Sequence, residues 1–325
     1  MLFLVFFYSQ LNAQNLLYAI ETKIDGSFIK SYKDKLTLRL VLQNKNTERR
    51  ILNNSTAKEL IIKPNNGLNI GVGFNWRFIG GEIVFNSLNI NNQQQKGKTK
   101  ALDLRFILPI NTFLLEPYYV KYSSYYINNP TVLEPNYWLY HQEYPIFKSA
   151  KSFNVGITAY HVFNATKYTY KGVFIQNLHQ IQSQGSWLAG IYIDYRAFHI
   201  GDKKQENTVL LQNNPLFDIN NERNTSFGIT GGYAYTKSFR NGLILSGAFT
   251  PGFGINQNNV VLKNNTLNQT PLSIMFKGFI AMNYDKDKWF TGINFNFKSS
   301  RYLFNDAVQI FDNFGIIRIQ TGYRF

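Results

Sequence analysis

The sequence predicts an all-β fold, a transmembrane antiparallel up-and-down β-barrel of about 12–14 strands. Apolar and polar residues alternate with a period of two from near residue 35 to residue 325. Aromatics make up 16% of the chain while charged residues also reach only 16%, against ~25% in soluble domains. No stretch after the first residues approaches the roughly 20 consecutive apolar residues of a membrane helix.

Taken in order, the chain opens on an unbroken apolar run, Met1 to Tyr8, followed by Leu11, Asn12, Ala13 and Gln14. That is the apolar core and small-residue cleavage pattern of a secretory signal, although no Lys or Arg occurs before Lys23. Residues 1–13 are therefore expected to be a signal peptide, 14–34 a short lead and 35–325 one barrel domain.

The strands follow. Leu36, Leu38, Leu40 and Leu42 face opposite Thr37, Arg39 and Val41; Leu68, Ile70, Val72, Phe74 and Trp76 alternate with Asn69, Gly71, Gly73, Asn75 and Arg77. Leu102, Leu104, Phe106 and Leu108 oppose Asp103, Arg105 and Ile107. Downstream, residues 153–163, 187–195 and 289–297 repeat the pattern, with Gly and Asn on the polar side and aromatics near the ends. Such segments have the ~9–11 residues that a tilted membrane strand needs.

Short connections are expected at 164–167, 240–241 and 285–288, and long polar ones at 128–151, 201–224, 256–270 and 300–312. Their alternation loses phase upstream of residue 226, which points to a missed or split strand around 56–63. The last predicted strand covers 314–325, with Ile317, Ile319, Tyr323 and Phe325 on one face. Tyr323 and Phe325 fit a signal read by the barrel-assembly machinery.

Several segments, in order, carry a family resemblance: Lys35 to Leu40, Lys96 to Leu104, Gly185 to Gly190, Asp287 to Gly292 and Thr321 to Phe325. Together they resemble an uncharacterised outer-membrane β-barrel family of Bacteroidetes catalogued only as a domain of unknown function. The resemblance implies an outer-membrane location and a barrel architecture, and it supplies no activity and no site residues.

Charge and motifs narrow the function. The net charge is +15, which suits nucleic acid or an anionic lipid and lipopolysaccharide surface. Apart from Arg49–Arg50 and the run Lys96 to Lys100 the cations are dispersed, and no recognition helix or basic arm is visible, so no nucleic-acid partner is expected. The absence of cysteine removes thiolate metal sites and thiol nucleophiles. None of His141, His161, His179 and His199 sits in a zinc or nucleophile-elbow motif. Asp285 to Lys288 lacks the rest of a calcium loop and reads as a charged turn. No catalytic residue, metal or cofactor is expected, and the chain is not expected to be an enzyme.

The polar face is the more informative constellation. Alternation places Arg39, Arg77, Arg105, Arg196, Lys277, Lys298, Arg318 and Arg324 in the lumen with Glu82, Asp103 and Asp194. Two readings stay open: a passive pore whose basic bore passes small anionic or polar solutes, or charges that pair to rigidify a plugged barrel. A second class of function is a structural barrel docking a surface or secretion partner through Tyr137, Trp138, Tyr140 and Tyr144, aromatics of the kind that anchor contacts. A third is a lipid-modifying outer-membrane enzyme.

Overall fold

The computed structural model describes residues 22–76, 79–88, 94–201, 219–262, 266–303 and 308–325. The expected signal peptide and Arg77 lie outside them. The described chain begins with a lead that contains the short strand β1 (Ile29–Ser31), then rises through β2 (Thr37–Asn53). It descends through β3 (Lys58–Lys63) and β4 (Leu68–Trp76), rises through β5 (Ile79–Leu88), and descends through β6 (Lys100–Arg105) and β7 (Leu108–Ile110). β8 (Phe113–Ile127) rises to a loop with the helical turn α1 (Tyr137–Tyr140), and β9 (Ile146–Val162) descends. The connector that follows holds α2 (Gly172–Ile175) and β10 (Leu178–Gln180). Then come β11 (Gln184–His199), β12 (Ile219–Ser238), β13 (Leu243–Leu262), β14 (Thr266–Gln269), β15 (Leu272–Lys286), β16 (Trp289–Leu303) and β17 (Val308–Arg324).

Counting β3 with β4, β6 with β7 and β14 with β15, the described residues make twelve passes, all neighbours antiparallel. The phase lost around residue 60 is explained here. β3 and β4 are one descending pass interrupted at Pro64 to Gly67, where a proline without an N–H cannot continue the ladder. β3 pairs the upper part of β2 and reaches across to β8 at Ile62–Ile127, while β4 pairs the lower part of β2.

The sheet closes on itself. From β8 it runs through β9, β11, β12, β13, β15 and β16 to β17, and β17 pairs with β2 over seventeen residue pairs, from Val308–Asn53 to Arg324–Thr37. Closure leaves no seam unpaired between these two strands, so neither presents a bare edge.

One face of the wall is apolar and exposed. Trp187, Ile191, Ile229, Phe253, Ile280 and Trp289 each leave between 61% and 69% of their surface uncovered. Their neighbours in sequence, such as Leu188, Tyr192, Thr230, Phe279 and Phe290, are buried inside. The aromatic pairs Trp187–Tyr233 and Trp289–Tyr323 lie on the outer face toward one end, at 5.0 and 4.7 Å between ring centroids.

That end carries the short turns at 239–242 and 287–288, and is termed the turn end; the opposite one is the loop end. Three expected connections differ from the structure. The long ones at 256–270 and 300–312 are largely strand, because β13, β16 and β17 continue their ladders through stretches without clean apolar–polar alternation. The expected short turn at 164–167 opens a connector running from 163 to 183, which folds back into the barrel.

Candidate functional site: a packed and ion-paired lumen

The lumen is stoppered at the turn end. In the connector, Tyr168, Tyr170, Val173 and Phe174 form an apolar run that breaks the two-residue alternation, so it cannot lie in the wall. It packs instead on the inward side chains Leu114, Tyr160, Leu188, Ala234, Phe279 and Ala281. Phe174 and Tyr170 meet the Phe279 ring edge-on at 4.9 and 5.2 Å. Burying these rings contributes roughly 1.5–3 kcal/mol each.

Polar ties fix the stopper to two separate strands of the wall, β4 and β15. Asn75 Nδ2 donates to the Ile175 carbonyl at 3.1 Å, and Asn283 Nδ2 to that of Val173 at 3.4 Å. α2 ends at Gln176 in the left-handed region, φ 61°, a conformation that costs a non-glycine residue roughly 1–2 kcal/mol. The Gln176 carbonyl accepts from Arg324 Nε at 3.2 Å and Nη2 at 2.7 Å. Arg324 also donates to both Asp285 carboxylate oxygens and to the Asp287 carbonyl. All five guanidinium N–H groups are thereby used, and the Tyr32 and Phe290 rings lie 3.9 and 4.7 Å from its carbon.

The N-terminal lead covers the stopper from outside. β1 pairs with β10, Tyr32 N donates to the Asn177 carbonyl and Asp25 N to that of Thr166. Lys30 and the Tyr32 hydroxyl both bind Asp287 in the turn beyond β15, at 2.6 and 2.8 Å. These two hydrogen bonds hold the Asp287 carboxyl below its ordinary range, and burial raises the Tyr32 hydroxyl above its own, with Asp285 adding to the rise.

Above the stopper the inward cations are paired with carboxylates, some of them shared. Arg39 and Arg318 share Glu82, at 3.1 and 2.9 Å. Lys45 and Arg105 share Asp103, at 3.1 and 2.8 Å. Lys298 pairs with Asp194 at 2.6 Å, whose other oxygen accepts from the Tyr118 hydroxyl at 2.8 Å. Lys277 pairs with Glu116. Nearer the loop end, Asp312 accepts from Arg49 twice, at 2.8 and 3.0 Å, and from Arg196 at 3.0 Å. Arg49 and Tyr302 meet the two oxygens of Glu222 at 2.7 and 2.5 Å. Between these layers a cavity of about 90 Å³, lined by Arg49, Arg105, Tyr118, Arg196, Lys298 and Asp312 among others, has room for a few waters.

Each described cation of the expected lumen set thus has a carboxylate partner. Sequence reasoning missed Lys45, Arg49, Glu116, Glu222, Asp285 and Asp312. Their parity was available, since Lys45 and Arg49 share that of Arg39, but Glu222 and Asp312 stand in stretches read as loops and Asp285 in one read as a turn. Inward glycines supply the space. A side chain at Gly73 would meet Arg39 Nε at 2.7 Å, and one at Gly156 would collide with the Asp194 carboxylate.

The other expected positions are dispersed. Tyr323 and Phe325 lie against each other and Trp289 on the outer face at the turn end. In the loop between β8 and β9, Tyr137 is buried, stacked on His141 and bonded to the Glu143 carbonyl. Tyr144 packs against Tyr126 and Trp138. Trp138, Leu139 and Tyr140 are exposed at its tip. His161 sits on the outer wall between Phe113 and Phe163, and His199 faces Asn221. His179 lies inside, 3.3 Å from the Asp285 oxygen that Arg324 also holds.

Residues 23–325 match the family model described as a domain of unknown function, DUF4421, and the chain belongs to that family. No curated protein matches it. Among solved structures it is similar to the outer-membrane protease OmpT from Escherichia coli, at 8% identity and a TM-score of 0.40, over 91% of this chain and 98% of that one. It is also similar to the P. putida toluene transporter TodX, at 7% identity and 0.21, over 90% of each chain. The attachment invasion locus protein Ail of Yersinia pestis gives 8% and 0.21, over 90% of this chain and 99% of that one.

Proposed function

We propose that this member of the family is a bacterial outer-membrane barrel that is closed at rest and serves as a membrane-seated structural or docking body. Its seating rests on the outer wall. A band of exposed Trp, Phe and Ile exceeds what soluble surfaces carry in one patch, and closure of β17 on β2 pairs the backbone along that seam as hydrocarbon requires. Anionic outer-membrane lipid and lipopolysaccharide are then its surroundings, and the barrel-assembly machinery its route in.

The single observation behind the closed state is the connector 163–183 filling the turn end, tied to the wall by Arg324. Pairing with Glu116, Glu222, Asp285 and Asp312 supports this reading over an anion-selective bore, because it shrinks the cationic surplus that would create the field. The exposed tip Trp138–Leu139–Tyr140 supplies a contact surface at the loop end. Planar-bilayer recording of the purified chain tests the reading: the wild type should be silent, and a steady resting conductance would overturn it.

A further inference from the structure

On the outer wall near the loop end, β12, β13 and β14 form a recess of about 280 Å³ lined by Arg223, Thr225, Gln257, Asn259, Asn268 and Thr270, with Asn258 and Gln269. The registers set it in rows. Arg223 lies opposite Asn259 and Asn259 opposite Asn268, while Thr225 lies opposite Gln257. The next outward row is apolar, with Phe227 opposite Ile255 and Ile255 opposite Leu272; Phe227 and Leu272 are 50% and 76% exposed. Below it stand Ile229, Phe253 and Ile274. The wall therefore changes from hydrocarbon-facing to amide-lined within one step of the ladder, ~7 Å along a strand.

Charge adds a second observation. Among the described residues of β8, β9, β11, β12 and β13, the carboxylates Glu116, Asp194 and Glu222 all belong to the inward ion pairs. The outward charges beside the recess are cationic: Arg223 itself, with Lys151 opposite His199, and Lys121 on β8. No outward carboxylate on these strands competes for an anion.

We propose that this recess binds the phosphorylated sugar headgroup of an outer-leaflet glycolipid, an inference that rests on the membrane seating above. Asn, Gln and Thr side chains offer paired donors and acceptors for sugar hydroxyls, and Arg223 offers a guanidinium fork for a phosphate. The apolar rows directly beneath give the same ligand's acyl chains a surface, which a soluble sugar would have no use for. The volume lies near the lower end of small-molecule sites, ~300 Å³, so one or two sugar rings are held and the rest stays in the leaflet.

The experiment measures binding of purified lipopolysaccharide to the full chain in detergent micelles, beside phosphatidylglycerol and dephosphorylated lipopolysaccharide. Lipopolysaccharide should bind best, and Arg223→Ala should weaken it about tenfold, the scale of one charge-assisted contact. Gln257→Leu should weaken it too, while Lys58→Ala, an equal charge change at the start of β3, should leave it intact. Equal binding of phosphatidylglycerol, or equal losses in Arg223→Ala and Lys58→Ala, would overturn the site. So would failure of lipopolysaccharide to bind a chain that still runs as a folded, heat-modifiable barrel. Recovery of the chain from the aqueous phase without detergent would instead strike the membrane seating first.

Discussion

Arg324 grips Asp285 with two parallel hydrogen bonds, Nη1 to Oδ1 at 2.8 Å and Nη2 to Oδ2 at 2.6 Å, and both side chains are almost wholly buried. The same guanidinium holds the Gln176 carbonyl, so one side chain joins barrel wall and stopper. Arg324→Ala leaves a buried carboxylate facing only His179, and removing one partner of such a pair costs about 3–5 kcal/mol. The urea midpoint of the refolded barrel should fall, and current steps should appear in bilayer recordings. A variant that stays silent with an unchanged midpoint would show that the stopper is held elsewhere.

Asp312 and Glu222 make a graded test of the upper layer. Asp312 accepts three hydrogen bonds from two arginines, whereas Glu222 accepts one from Arg49 and one from Tyr302. Asp312→Asn should therefore destabilise more than Glu222→Gln, and the double variant should cost less than their sum, because both act through Arg49. Additive losses in equilibrium unfolding would mean that the layer is not one network.

The outer wall answers to a single lysine. Ile280 is 69% exposed and sits mid-strand in β15. On a soluble protein Ile280→Lys would be nearly neutral. Facing hydrocarbon near the midplane it should cost about 2–4 kcal/mol, read as refolding yield and stability in lipid vesicles. Unchanged stability there would remove the membrane seating.

Acid should loosen the lead before the barrel. The Asp287 carboxyl titrates below its unfolded value because Lys30 and Tyr32 bind its charged form. Its contribution is present above ~3.9, the free carboxyl value, and is lost as pH falls through the lower folded value. Hydrogen exchange of the amides paired between β1 and β10 should accelerate in that window, and Asp287→Asn should show the fast rate at neutral pH. Identical exchange in both proteins across the range would refute the role given to Asp287.

How much of this was legible follows from where hydropathy carries information. Beside the apolar band, parity alone sets Arg39, Asp103, Asp194 and Arg196 on the polar side, because Leu38, Leu102, Ile193 and Tyr195 mark the other one. Beyond the band the alternation is lost, polar on both faces of β12 around Glu222 and mixed on β17 around Asp312, so both read as loop although their ladders continue. The stopper was hidden for another reason. Asn164, Ala165 and Thr166 do form a turn, but alternation stops at Gly172, and Val173 and Phe174 are adjacent buried apolar residues that a one-sided strand would not carry. Pairing partners were not legible at all, since Arg49 and Asp312 stand 263 positions apart.

That separation has a consequence for assembly. Until β17 arrives, Arg49 and Arg196 lack Asp312, and until Arg324 arrives Asp285 lacks its fork. A barrel halted partway would leave Arg196 without its carboxylate, Arg49 with Glu222 alone and Asp285 with His179 alone, at a penalty of several kcal/mol for each buried charge left short of partners. Truncated or stalled intermediates are thus disfavoured by the same charges that steady the finished wall, and sealing acts as a checkpoint on completeness.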